Sequence, residues 1–259
     1  GSDALITNTT GEKNTAVGVE SLQNNLTASH NTAVGRRAGK ANTTGTEIVA
    51  VGQGALESNT TANYNTAVGC NALNLNTTGT QNTALGSNAL DGANESNNTA
   101  VGYNTLGSGS LGSGDNVAVG TYALQNQTTG NGRNVAVGKS CLEDLTTGAE
   151  NTGMGWYALG DCTTGAENTG IGRHALRKNI DGHYNTAVGF NSLEENTSAQ
   201  SNTAVGYDAL RKNTTGNYNT ATGYQTLDAN TTGAENCAYG RAALGANTTG
   251  SYNTVGGQA

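Results

Sequence analysis

Apolar residues in this chain follow neither a helical period nor a simple alternation; they return at fixed places in a much longer phrase. With the opening Asn as position zero, the phrase reads N-T-A-V-G-x-x-A-L-x-x-N-T-T-G-x-x, and copies open at residues 14, 31, 48, 65, 82, 98, 116, 134, 151, 168, 185, 202, 219, 236 and 253. Of the fourteen intervals, eleven are 17 residues, one is 16 and two are 18. Self-similarity at such a period predicts a solenoid, in which each repeat buries its apolar face only against its neighbours.

Position one is Thr or Val except at Cys237, and position three is mostly Val, with Leu85, Met154, Ile171, Thr222, Tyr239 and Gly256 as variants. These two share a side of an extended segment, and their β-branching suits a strand. Position two is Ala in twelve copies, Gly153, Gly170 and Val255 in the others. Residues so uniformly small imply a closely pressed backbone, so the strand reads as covered on both faces, with Val at position three and Leu at position eight inside. On this reading the Ala run is a smooth groove that a second backbone can approach. The alternative, in which Ala faces a narrow interior and Val a partner, stays open. Either way one of the two faces needs a partner.

Position four is Gly in all fifteen copies, a corner. Leu recurs at position eight, with Gly39 the one exception, in a segment that is either a second short strand or a helical turn. Asn-Thr-Thr-Gly then predicts a turn. Stacked rungs would set the position-zero Asn residues in a ladder, amide on amide. The fold expected is all-β: a parallel β-solenoid of about fifteen rungs spaced about 4.8 Å, roughly 70 Å long, as one array over residues 1–259. The lack of Pro agrees, since each rung must donate its N–H groups to the next.

Composition supports a thin core: 34% apolar residues, 39 Gly, and one each of Trp, Phe and Met. Charged residues are only 12%, unlike most disordered chains. A net charge of −7 without a basic run argues against nucleic acid or an anionic membrane as partner. No stretch reads as a membrane span or a signal peptide, and an extracellular setting stays compatible. Cys70, Cys141, Cys162 and Cys237 lack any CxxC spacing and read as unpaired stand-ins for Ser, Ala or Thr rather than a zinc site.

Candidate chemistry is sparse. His30, His174 and His183 fall at unrelated positions without a regular nucleophile or carboxylate, so no catalytic residue, metal site or cofactor is expected and the chain does not read as an enzyme. Gly107–Gly114 lacks the G-K-[ST] that completes a phosphate loop and reads as a degenerate turn. Twelve N-x-[ST] sequons, at Asn8, Asn25, Asn42, Asn59, Asn76, Asn94, Asn97, Asn126, Asn196, Asn213, Asn230 and Asn247, are candidate glycosylation sites if the turns face solvent, or else turn sequence repeated for its geometry. Position five carries Tyr103, Trp156, Phe190, Tyr207 and Tyr224, a candidate ligand stripe for stacking on sugars.

N-T-A-V-G with its recurring Gly corner resembles the head repeats of YadA-type trimeric autotransporter adhesins. Read as N-T-A-[VI]-G…A-L…N-T-T-G, essentially the whole chain resembles the arrays of tail-fibre-like proteins of phages, large viruses and bacteria. The resemblance implies a parallel β-roll, left-handed and trimeric, in a fibre or adhesive stalk at a cell or virion surface. The adhesin-head repeat is shorter, with one more residue between Asn and Gly. The function expected is a structural surface fibre that self-assembles as a homo-oligomer into rods or filaments. A receptor- or glycan-binding adhesin is the alternative. An ice-binding solenoid is less favoured, because Thr-Thr falls at a turn and ice binding wants a flat ranked strand face. Gly1 and Ala259 both fall mid-repeat, which predicts end-to-end stacking or a longer array.

Overall fold

The computed structural model describes residues 1–92, 94–107, 114–128 and 132–258. Its contacts divide the chain into two units, Gly1–Gly132 and Arg133–Ala259. In the first, seven strands, β1 (Thr15–Val17), β2 (Thr32–Val34), β3 (Val49–Val51), β4 (Thr66–Val68), β5 (Thr83–Leu85), β6 (Thr99–Val101) and β7 (Val117–Val119), pair in sequence order. The second repeats the scheme with β8 (Val135–Val137), β9 (Thr152–Met154), β10 (Thr169–Ile171), β11 (Thr186–Val188), β12 (Thr203–Val205), β13 (Thr220–Thr222), β14 (Cys237–Tyr239) and β15 (Thr254–Gly256). Every pairing is parallel, and equal repeat positions are partners, as in Thr186↔Thr203, Ala187↔Ala204 and Val188↔Val205. The chain is therefore an all-β parallel solenoid, as the period predicts.

Each strand is only positions one to three. The segment after the Gly corner is neither of the two forms expected, a second strand or a helical turn. Positions six, eight and sixteen take positive φ, as at Glu20 (58°), Leu22 (47°) and His30 (62°). Left-handed backbone costs a non-Gly residue on the order of 1 kcal/mol. It is offset because alternating hand turns successive peptide groups along the stack. Arg37 N–H donates to Val19 O at 2.9 Å, while Leu22 N–H donates to Ala38 O of the next rung at 3.0 Å. Burial of each Leu adds roughly 2 kcal/mol. Rung-to-rung bonding thus runs well beyond the strand. The position-four glycines close the corner at φ between 114° and 143°. A Cβ on Gly18 would also collide with the carbonyl oxygen of Gly35 in the next rung, which explains why no copy varies here.

The core corrects the inward assignment of Val. Ala at position two is fully buried in most rungs, along with the small residue at position seven and Leu at position eight. Val at position three lies outside, 57% exposed at Val17 and 37% at Val34, with Met154 at 46%. The reason is the strand period of two: position-zero Asn points inward, so Ala does too, and positions one and three must point out. Ala187 and Ala204 are 0% exposed, so the Ala run is no groove for a second backbone.

Two Asn columns line the interior. The expected one at position zero is present: Asn31 N–H donates to Asn14 Oδ1 (3.0 Å), and Asn236 Nδ2 donates to Asn219 Oδ1 (3.1 Å) and Gly250 O (2.8 Å). A second, unforeseen column stands at position eleven. Asn59 Nδ2 donates to Asn42 Oδ1 (2.9 Å) and to Ala62 O three residues on (3.1 Å). Buried amides are tolerated because each finds partners.

Two departures from the consensus come in compensating pairs. Gly39 replaces Leu, and a Cβ there would sit 3.6 Å from Ile48 Cδ1, so Ile48, replacing Asn, fills the space that the missing Leu leaves. Cys141 replaces Ala at position seven, and Gly153 replaces Ala where a Cβ would meet Cys141 Sγ at 2.5 Å. All four cysteines are free. Burial pushes the Cys141 and Cys162 thiols up to about 12, which keeps them protonated and unreactive.

Candidate functional surfaces

The outward strand face carries only positions one and three, and no strand places a charged residue at either. Among the described residues, the position-one Thr hydroxyls make no hydrogen bond within the chain. The first Thr of the turn is spent internally: Thr43 Oγ1 donates to Thr60 O (2.9 Å) and Thr214 Oγ1 to Thr231 O (3.0 Å). Threonine therefore plays two parts, a structural tie at the turn and a free hydroxyl row on the strand. A shallow depression of about 430 Å³ on this side is lined by Tyr218, Thr220, Glu235, Asn236 and Cys237.

Of the predicted aromatic stripe, Arg133–Ala259 brings four members together. Phe190 and Tyr207 stack at 5.2 Å and 8°, Tyr207 and Tyr224 at 5.2 Å and 11°. The rung between Trp156 and Phe190 is occupied by Arg173, whose guanidinium lies 4.5 Å over Trp156 and 5.3 Å over Phe190. Trp156, Arg173, Phe190, Tyr207 and Tyr224 thus form one column over five successive rungs. Arg173 escapes a search for aromatic residues; its place at position five is the signal that could have found it. Stacking covers the ring faces and leaves edges outward, which is unfavourable for a sugar that needs a free face. Tyr103 stands apart, edge-on to Tyr122 at 5.7 Å.

His174 packs 5.2 Å from Trp156 and 3.5 Å from Glu194 Oε1. Burial first, and then the Arg173 cation, holds its imidazole below the ordinary value. His183 Nδ1 accepts the Ala166 N–H at 3.0 Å. Among the described residues, no three of His, Cys, Asp and Glu converge to hold a metal ion, and no helix is long and apolar enough to cross a membrane.

Charged side chains at position nine alternate in sign along the stack: Arg177, Glu194, Arg211 and Asp228. Arg211 Nε meets Asp228 Oδ1 at 3.1 Å. Near the other end of the chain, Lys40 Nζ donates to Glu20 at 2.7 Å, and this bond holds the Glu20 carboxyl below its usual value.

Of the two readings open for the sequons, glycosylation or turn geometry, most of the Asn side chains sit where geometry uses them. Asn25, Asn42, Asn59, Asn76, Asn196, Asn213 and Asn230 are fully buried. The turn points each side chain inward, where Nδ2 is held by the next turn carbonyl, as Asn213 is by Gly216 O at 2.9 Å. Asn8, Asn126 and Asn247 are half-buried, and Asn94 and Asn97 are exposed. Within the Gly107–Gly114 segment, Ser108–Ser113 lie outside the described residues.

No family model, curated protein or solved structure matches this chain.

Proposed function

We propose that the chain is a structural, non-enzymatic element of a fibre at a cell or virion surface, and that it works by associating with copies of itself. The observation that supports this most is the uncharged Thr/Val face, left outward by the inward turn of Ala and repeated at every strand. An uncharged surface of that kind, with an unbroken row of mostly Val beside a row of mostly Thr in each unit, suits an interaction site better than bare solvent. Interior Asn columns add the stiffness that a fibre needs, since within each unit paired rungs are tied by backbone bonds and most of them by amide bonds as well. Light scattering with electron microscopy of the purified protein tests this reading. Oligomers seen as rods or filaments are expected, and a mass equal to one chain at all concentrations would overturn it.

A receptor-binding adhesin is the second reading. It is supported by the Trp156–Tyr224 column, whose outer members are 42% and 46% exposed and offer edges, a guanidinium and phenol hydroxyls. An array screen of glycans and surface receptors tests it: binding lost in Tyr207→Ala/Tyr224→Ala with unchanged oligomer mass would establish it. The free Thr row also gives an ice-binding solenoid the ranked strand face that the turn sequence lacks. Thermal hysteresis absent at high concentration would remove that option.

A further inference from the structure

The borders of the outward face in Arg133–Ala259 are unlike each other. Position five, just past each strand, carries Lys139, Arg173 and Arg241 and no acid in this unit. Position sixteen, which precedes each strand, carries Glu150, Glu167 and Glu235. Its one base, Arg133, is neutralised by Glu150 at 2.8 Å. A neutral face therefore has a basic edge and an acidic edge. Two strands carry both signs: β10 between Glu167 and Arg173, and β14 between Glu235 and Arg241. All four of these side chains are exposed, and among the described residues none has an ion-pair partner in its own chain.

We propose that this face binds a second copy of the chain with the two strand stacks parallel and each rung opposite its equivalent. The proposal rests on the self-association reading above and names the surface, the orientation and the register. A half-turn about the stacking axis reverses strand direction, so the acidic edge of one copy meets the basic edge of the other. Glu167 then faces Arg173 of the second copy, Glu235 faces its Arg241, and both pairs occur twice by symmetry. The same half-turn lays the small position-one row over the larger position-three row, for instance Cys237 over Tyr239 and Thr152 over Met154. An antiparallel arrangement sets acid against acid, base against base and large row on large row. A slip of one rung moves Glu167 opposite Trp156 or Phe190 and loses the pair. Eight strands give sixteen outward residues, and with the two border rows the face reaches roughly the 20–30 residues per side of a standard interface.

The test compares the wild-type chain with Glu167→Lys/Glu235→Lys and with Arg173→Glu/Arg241→Glu, using light scattering across a concentration series. Thermal melts of the exposed-site variants confirm that each still folds. Each variant alone should raise the dissociation constant by more than about tenfold, because like charges now meet at both edges. Mixing the two should restore association, each supplying the sign that the other lacks. Wild-type protein of single-chain mass overturns this proposal and the self-association reading together. Multimeric wild type with both variants undiminished overturns the proposal alone, leaving assembly to another surface. Weakened variants that fail to rescue each other in the mixture also overturn it.

Discussion

Ala187 and Val188 are neighbours in β11, yet they answer to different constraints. Ala187 is sealed between the Asn column and the Leu row, whereas Val188 looks outward and is half-exposed. The inward row of every strand is fixed by fit, and the outward row is free of the fold's own requirements. Its uniform lack of charge therefore needs a reason outside the rung. Fold and the association proposed here would thus be written on alternate residues of one three-residue strand.

The inward row should tolerate change least. Ala187→Arg would force a cation into a site without room or partners, and an unpaired buried charge costs more than about 3 kcal/mol. Chemical denaturation should show loss of the cooperative transition or a collapse of its midpoint. A next-smaller effect belongs to the paired exceptions. Ile48→Ala leaves the gap beside Gly39 empty and should cost roughly 2–4 kcal/mol. Gly39→Leu combined with Ile48→Asn restores the consensus on both sides, so its stability should recover most of that loss. A double change no better than Ile48→Ala would show that the two sites do not share one space.

The outward row should behave in the opposite way. Val188→Asp is expected to shift the unfolding free energy of the isolated chain by less than about 1 kcal/mol, while weakening self-association strongly. A melt lowered as far as that of Ala187→Arg would return Val188 to the interior. The smallest effect is at His174. Its folded imidazole titrates below the ordinary 6.5, so the unfolded chain binds the proton first as pH falls. Stability should be full above pH 6.5 and decline modestly as pH drops toward the lowered folded value. In His174→Gln that part of the pH dependence should vanish.

Much of this architecture is legible in the sequence. The period, the Gly corner, the buried Leu and the position-zero Asn column each come from residues that recur with almost no substitution. The side of the strand facing the core is not legible, because Ala is small enough for a narrow interior and for a close contact outside. Left-handed Leu residues are hidden as well, since Leu carries no signal for positive φ and only hydrogen bonding between rungs selects it. Position eleven misleads for a similar reason. Asn-Thr-Thr-Gly is good turn sequence whether its Asn points to water or, as here, into a second column. Arg173 escapes notice because its part in the ring column comes from its planar guanidinium rather than from any aromatic character.

In-register pairing also bears on how such a chain can change its length. Where a column is made of identical uncharged residues, copying one 17-residue segment merely adds another storey with contacts already proven below it. Arg177, Glu194, Arg211 and Asp228 obey a stricter arithmetic, because doubling any one of their rungs would seat two equal charges side by side. There the smallest harmless duplication is two storeys. Growth of the molecule is thus unrestricted in steps of one where its columns are neutral, and restricted to even steps where they alternate.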